Sequence, residues 1–256
     1  MLVLLKCGLP LADGALSGND CAMIDQTTVS ATLTEPFGFW RHPRPMRPEG
    51  LRAPGAWRRW GLLTALQVGV LLGVVVQVMM LWQKAFGLPS PDAFDGLNPL
   101  ALWGGAVLLA PVLEELFFRA WLGGLPRALW AMAAVVLGLA LFVAVGKGSA
   151  VVGGGILVAT VVVALGGWLR LRRRADWPRW FDRAFPVLFH VNAAIFAAIH
   201  LANYPKFTWV LIPMVLPQLW TGLMLGFIRL RIGLIAAMLT HVVSNAVTLG
   251  IALSAG

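Results

Sequence analysis

Polar and apolar positions divide this chain into a polar head and seven long apolar runs. Residues 1–58 mix Pro, Gly and polar residues without a helical period. Beyond them, apolar runs cover about Trp60 to Trp82, Leu97 to Leu122, Ala128 to Val145, Ala150 to Leu169, Phe185 to Asn203, Phe207 to Ile228 and Ile232 to Leu253. Each is long enough for a bilayer-crossing helix, which takes about 20 residues. The runs are continuous, whereas the strands of a membrane barrel alternate. The pattern predicts an all-α, polytopic transmembrane bundle of about seven helices, or eight. Residues 1–58 are expected to be a loosely ordered cytoplasmic tail and 59–256 a membrane-embedded helical domain.

Composition sharpens the class. The chain is 59% hydrophobic and 12% charged, with a mean hydropathy of +0.81; soluble domains carry about 25% charged residues. A net charge of +9 raises nucleic acid as a partner, but the basic residues cluster between apolar runs, as topology determinants do. No nucleic acid is expected. With the N-terminus in the cytoplasm, the loops near 127, 170–183 and 229–231 are also inside. Of 20 Lys and Arg, 16 then lie inside. Arg119 is intramembrane, and only Lys84, Lys147 and Lys206 fall outside. The expected location is a bacterial inner membrane. Cys7 and Cys21 fall in the head, and two such thiols make neither a disulfide scaffold nor a metal site. The opening MLVLLKCG is too short for a signal core, Lys6 argues against a lipid-modified Cys7, and Met23 or Met46 are alternative starts. Gly222 with Gly226, and Gly153 to Gly155, suit close helix packing.

Three of the seven runs carry ionisable groups away from their ends. The second holds Glu114, Glu115 and Arg119; the fifth holds His200, with Asn203 near it; the seventh holds His241 and Asn245, i,i+4 on one face. A charge at a bilayer centre costs roughly 2.5–3.5 kcal/mol on insertion scales, so such groups are expected to pair and to act. Glu115 and Arg119 stand i,i+4 and can pair. Glu114 points about 100° away and must face something else polar. This set offers hydrolysis: a Glu as general base, a His sharing its water, and a His and Asn donating to an oxyanion. A zinc site of Glu114, His200 and His241 is the other reading, although His-Glu-x-x-His is missing. His190 reads as an interfacial histidine and His42 as part of the head.

Glu-Glu-x-x-x-Arg, then Phe-x-x-x-His, then His-x-x-x-Asn, in order on separate helices over about residues 97–250, resembles the CPBP family. That family includes the type II CAAX prenyl endopeptidases and bacteriocin-immunity-type membrane proteins. The run from Arg231 through Ala237 is similar to the family's lead-in to its last motif. The resemblance implies a glutamic-type intramembrane endopeptidase that needs no metal. In that pattern Glu114 and His200 activate water, His241 and Asn245 stabilise the oxyanion, and Glu115 and Arg119 support them. The substrate would be a membrane-associated protein or peptide. The rivals are a non-catalytic immunity or scaffold protein and a proton-coupled carrier, although no internal repeat speaks for a carrier. One distance resists the assignment. At 1.5 Å per residue, Glu114 and His241 lie ~15 and ~14 Å from the cytoplasmic side, and His200 ~22 Å. Convergence asks the fifth helix to start later, tilt or sit high.

Overall fold

The computed structural model describes residues 18–92 and 96–255, and within them the side chains of residues 29–92 and 96–254. Every regular element among these is helical. The helices are α1 (Gly18–Arg41), α2 (Ala56–Phe86), α3 (Ala101–Phe118), α4 (Pro126–Gly146), α5 (Ala150–Leu171), α6 (Arg179–Ile199), α7 (Leu216–Arg231) and α8 (Leu234–Ala255). Short 3₁₀ turns extend α6 over His200–Asn203 and lead into α7 over Trp209–Val215. Seven of these helical segments are long and apolar enough to cross a membrane, matching the seven runs in order. The protein is an all-α, multi-pass membrane bundle.

The fifth span starts at Arg179, six residues ahead of the expected Phe185. Its first turns carry Arg179 and Arg183, which mask the apolar signal. Phe181, Phe185 and Phe189, spaced i,i+4,i+8, nevertheless form one buried stripe. Pro178 caps the start, where a fixed φ suits a helix entry. An earlier start moves His200 further from the basic end, so a late-starting helix is not what brings it to the site.

The head is helical from Gly18 to Arg41, where no helical period was visible. Aromatic anchoring accounts for this. Phe39 meets Phe189 and Phe227 at 5.2 and 5.4 Å between ring centres, and Trp40 stands edge-on to Trp220 at 5.5 Å. Residues 42–55 then run as a strap against the α7–α8 turn. Glu49 N–H donates to Arg231 O (3.2 Å) and Gly50 N–H to Ile232 O (2.9 Å). Arg231 is paired with both Glu35 (2.8 Å) and Glu49 (3.1 Å), and Glu49 also pairs with Arg59. Cys7 lies outside the described residues, as does the side chain of Cys21.

Two packing units follow. The α4–α5 hairpin packs chiefly on itself: Gly167 takes the indole of Trp130, whose Nε1–H donates to Val163 O (2.9 Å), and Gly146 meets Gly153. Helices α2, α6, α7 and α8 form the main core around Phe181, Phe185, Phe189, Phe227 and Leu63. Gly222 lies against the Ala193 backbone and Gly226 under the Phe189 ring, as expected of small residues at a helix contact. Gly154 and Gly155 have open space around them instead. A polar seam joins α2 to this core. Gln67 Nε2–H donates to Thr221 Oγ1 (2.9 Å), and the hydroxyls of Thr64 and Thr240 lie 2.8 Å apart.

A Cβ at position 226 would stand 2.8 Å from Phe189 Cε2, and that ring is buried. Gly226→Leu should therefore overpack the α6–α7 contact and cost about 1–3 kcal/mol. Thermal unfolding of the detergent-solubilised protein reads this, with Gly154→Leu as the neutral control.

Candidate active site

The site begins where α3 changes its winding. Asn98 caps the entry, its Oδ1 accepting Ala101 N–H at 2.9 Å. The chain is then π-helical over Ala101–Leu109 and α-helical over Ala110–Phe118. Pro111 explains the position of the switch. A proline ring collides with the carbonyl four residues back, and a widened preceding turn relieves that collision. Glu114 and Glu115 follow within the regular α-helical turn, one residue apart and so on different faces.

The two carboxylates have different surroundings. The Glu115 side chain is 0% exposed, as is that of Arg119; Glu114 is 28% exposed. Arg119 Nη1 lies 3.1 Å from Glu115 Oε1, the i,i+4 pair expected from the sequence. The same Glu115 oxygen accepts the Nδ1–H of His241 at 2.9 Å. With Nδ1 donating, the neutral imidazole carries its lone pair on Nε2. Nε2 lies 3.7 Å from Glu114 Oε2. In that tautomer two acceptors face each other across this distance.

Aromatic and backbone groups complete the enclosure. The Arg119 guanidinium lies over the Phe196 ring at 3.9 Å, close enough for a cation–π contact. Phe196 also meets Phe118 at 5.2 Å and His241 at 6.1 Å. Asn245 reaches α3 at a second level, its Nδ2–H donating to Ala106 O at 3.0 Å.

Of the sequence candidates, Glu114, Glu115, Arg119 and His241 are in mutual contact, and Asn245 stands one turn from His241 on the same helix. His200 lies one turn beyond Phe196: its Nδ1–H donates to Phe196 O at 2.7 Å, and its ring meets Phe196 at 5.0 Å. Among the described residues no group of three or more His, Cys, Asp or Glu is arranged to hold a metal ion. Glu114, His200 and His241 therefore do not form the ligand set that a zinc reading asks of them. His190 faces out and bonds its own helix at Pro186 O (2.8 Å).

Arg229 belongs to the site although its sequence context concealed it. It lies in a basic run at the end of α7 that reads as a topology signal. Its side chain is buried, and its Nε–H and Nη2–H donate to Arg119 O (3.0 Å) and Ala120 O (3.3 Å). It thus caps the carbonyl end of α3, where helix termini lack internal partners. Gly123 keeps the approach open, since a Cβ there would stand 2.8 Å from Arg229 Nη2. Gly124 holds φ +69 under Phe181, a turn that a side chain would both strain and block.

A bundle of apolar spans that buries one carboxylate beside a half-buried second, with two buried guanidinium groups and an oriented imidazole, defines an intramembrane ionisable centre, the kind of site that marks function in this class. Residues 96–247, more than half of the chain, match the family described as Type II CAAX prenyl endopeptidase Rce1-like. The chain belongs to that family. The match runs from the entry of α3 into α8 and contains every candidate residue, while α1 and α2 precede it. No curated protein and no solved structure matches the chain.

Removing Arg229 takes away two charge-assisted hydrogen bonds to the carbonyl end of α3, at about 1.5–3 kcal/mol each, although Leu122 N–H still reaches Arg119 O at 3.2 Å. Arg229→Ala should lower the unfolding temperature sharply. Arg229→Lys, which has a point charge without the fork, should recover part of the loss. Equal stability of wild type and Arg229→Ala would refute the cap.

Proposed function

We propose that this protein is a glutamate-dependent intramembrane endopeptidase that hydrolyses a peptide bond of a membrane-associated protein or peptide. The observation that carries the reading is the 3.7 Å gap between Glu114 Oε2 and His241 Nε2. A water oxygen beside that gap, roughly 2.8 Å from each atom, reaches both and donates to both. Glu114 is the general base. It accepts a proton from this water as the oxygen attacks the scissile carbonyl carbon, and it returns the proton to the leaving amine. His241, held by Glu115 in the Nδ1–H form, orients the water through Nε2, which follows the rule that a base is aligned by a third group. Asn245 keeps one amide N–H beyond the one it gives to Ala106 O, and that N–H serves the oxyanion of the tetrahedral intermediate. Arg119 holds Glu115.

This assignment departs from the family pattern at two histidines. In the Nδ1–H form His241 is an acceptor at Nε2, which suits the water better than the oxyanion. His200, one turn beyond Phe196, is given no step in this reading. The chemistry is proposed without a metal. Substrates ending in a prenylated CAAX sequence follow from the family description alone. An orientation with the basic loops and the N-terminus in the cytoplasm follows from the charge distribution.

Glu114→Gln keeps the shape and removes the base, so cleavage should fall by about 10²–10⁴-fold. Terminal proteomics of membranes carrying equal amounts of wild type or Glu114→Gln reads this directly, since neo-termini seen only with wild type identify substrates. Unchanged neo-termini with the variant would refute the reading and favour a scaffold. Activity lost in chelator and restored by zinc would refute the metal-free chemistry.

A further inference from the structure

The Ala106 carbonyl has a specific reason to be available to Asn245. In a helix its backbone donor is the N–H at position 110 or, in π winding, at position 111. Ala110 N–H goes to Gly105 O, and position 111 is Pro, which has no N–H. The carbonyl is thus left for a side chain, and Asn245 Nδ2–H takes it at 3.0 Å. Asn245 is half-buried at this contact. Because the partner is a carbonyl, the amide must present its nitrogen to α3, so one contact fixes both the rotamer and the flip.

We propose that Pro111 is a positioning residue for the oxyanion site. By withholding an N–H, it leaves Ala106 O as the anchor that aims the Asn245 amide. The proposal rests on the oxyanion role given above to Asn245 and adds how that role is set up. It also gives the π-to-α switch at Ala110, four residues ahead of Glu114, a use, since the same proline that widens the turn frees the carbonyl. A contact four residues along α8 from His241 and another at Glu115 then fix α8 to α3 at two levels. Asn245 and Glu114 are held in one frame.

The test is a double-mutant cycle of Pro111→Ala and Asn245→Ala on the full chain in detergent micelles. It is read by thermal unfolding and by kcat and KM on a fluorogenic peptide with a farnesylated CAAX end. Pro111→Ala supplies an N–H for Ala106 O and releases Asn245. It should leave the unfolding temperature unchanged or higher, yet lower kcat by about ten- to a hundredfold at constant KM, as a misaimed group does. A stabilised but slower enzyme is not what a merely structural proline would give. Asn245→Ala should lower the unfolding temperature by a few degrees with Pro111 present, and by clearly less with Ala at 111. Additive unfolding shifts, or wild-type kcat in Pro111→Ala, overturn the proposal alone. Full cleavage by Asn245→Ala overturns the oxyanion reading beneath it, whatever the unfolding cycle shows. The unfolding cycle needs no substrate, so the anchor is testable on its own.

Discussion

The Glu115–Arg119 ion pair governs this structure because neither charge has access to water. Both side chains are 0% exposed, in a span surrounded by apolar residues. Desolvating two ions costs several kcal/mol each, recovered only when geometry and further contacts are good. The further contacts are what order the neighbourhood. The Arg119 face needs a ring, which brings Phe196 of α6 to 3.9 Å. Glu115 Oε1 takes a second donor, which brings His241 of α8 to 2.9 Å. One pair on α3 thereby sets the position of two other helices. Removing only one partner would leave a buried charge unpaired, at about 3–5 kcal/mol.

Adjacent carboxylates then divide the labour. Helical geometry turns Glu114 about 100° from Glu115, so one faces the bundle interior and the other a partly open side. Glu115 is held by its ion pair to Arg119 and a hydrogen bond from His241, whereas among the described residues Glu114 meets the His241 ring nitrogen at 3.7 Å. A carboxylate already held by a cation and an imidazole N–H makes a poor base, and one with free lone pairs facing a lone pair is ready to take a donor that serves both. Environment separates the roles of two identical residues, as it does wherever paired carboxylates act differently.

The sequence carried the parts of this arrangement that local spacing encodes. Seven spans were legible because continuous apolar runs have no other use in a chain of this composition. The Glu115–Arg119 pair was legible from i,i+4 spacing, and Gly222 and Gly226 as a close contact from small residues four apart. What escaped depends on distant partners. Phe37, Phe39 and Trp40 make α1 pack through Trp220, Phe189 and Phe227, and no period within α1 announces that. Arg229 stands among basic residues whose general reason is topology, so its use as a cap on α3 shows only when α3 is beside it. Which turn of α6 meets Arg119 followed the same rule, and it is that of Phe196. Span length counted in residues cannot tell which of two aromatic turns, Phe196 or His200, lies level with Arg119.

Helices α7 and α8 reach the site from two directions, and the turn between them is where the head of the chain is attached. Arg229 holds the carbonyl end of α3 from α7, and His241 and Asn245 hold its middle from α8. Between them, Arg231 O and Ile232 O accept backbone N–H groups from Glu49 and Gly50, and the Arg231 side chain is paired to Glu35 and Glu49. The angle between α7 and α8 decides whether both sets of contacts to α3 can exist together. The strap binds the residues that set this angle. It does so with charges that are only partly buried, so it adds constraint without the large desolvation cost that the pair on α3 carries. The structure therefore places its expensive electrostatics at the site and its inexpensive electrostatics at the turn that holds the site's two supporting helices.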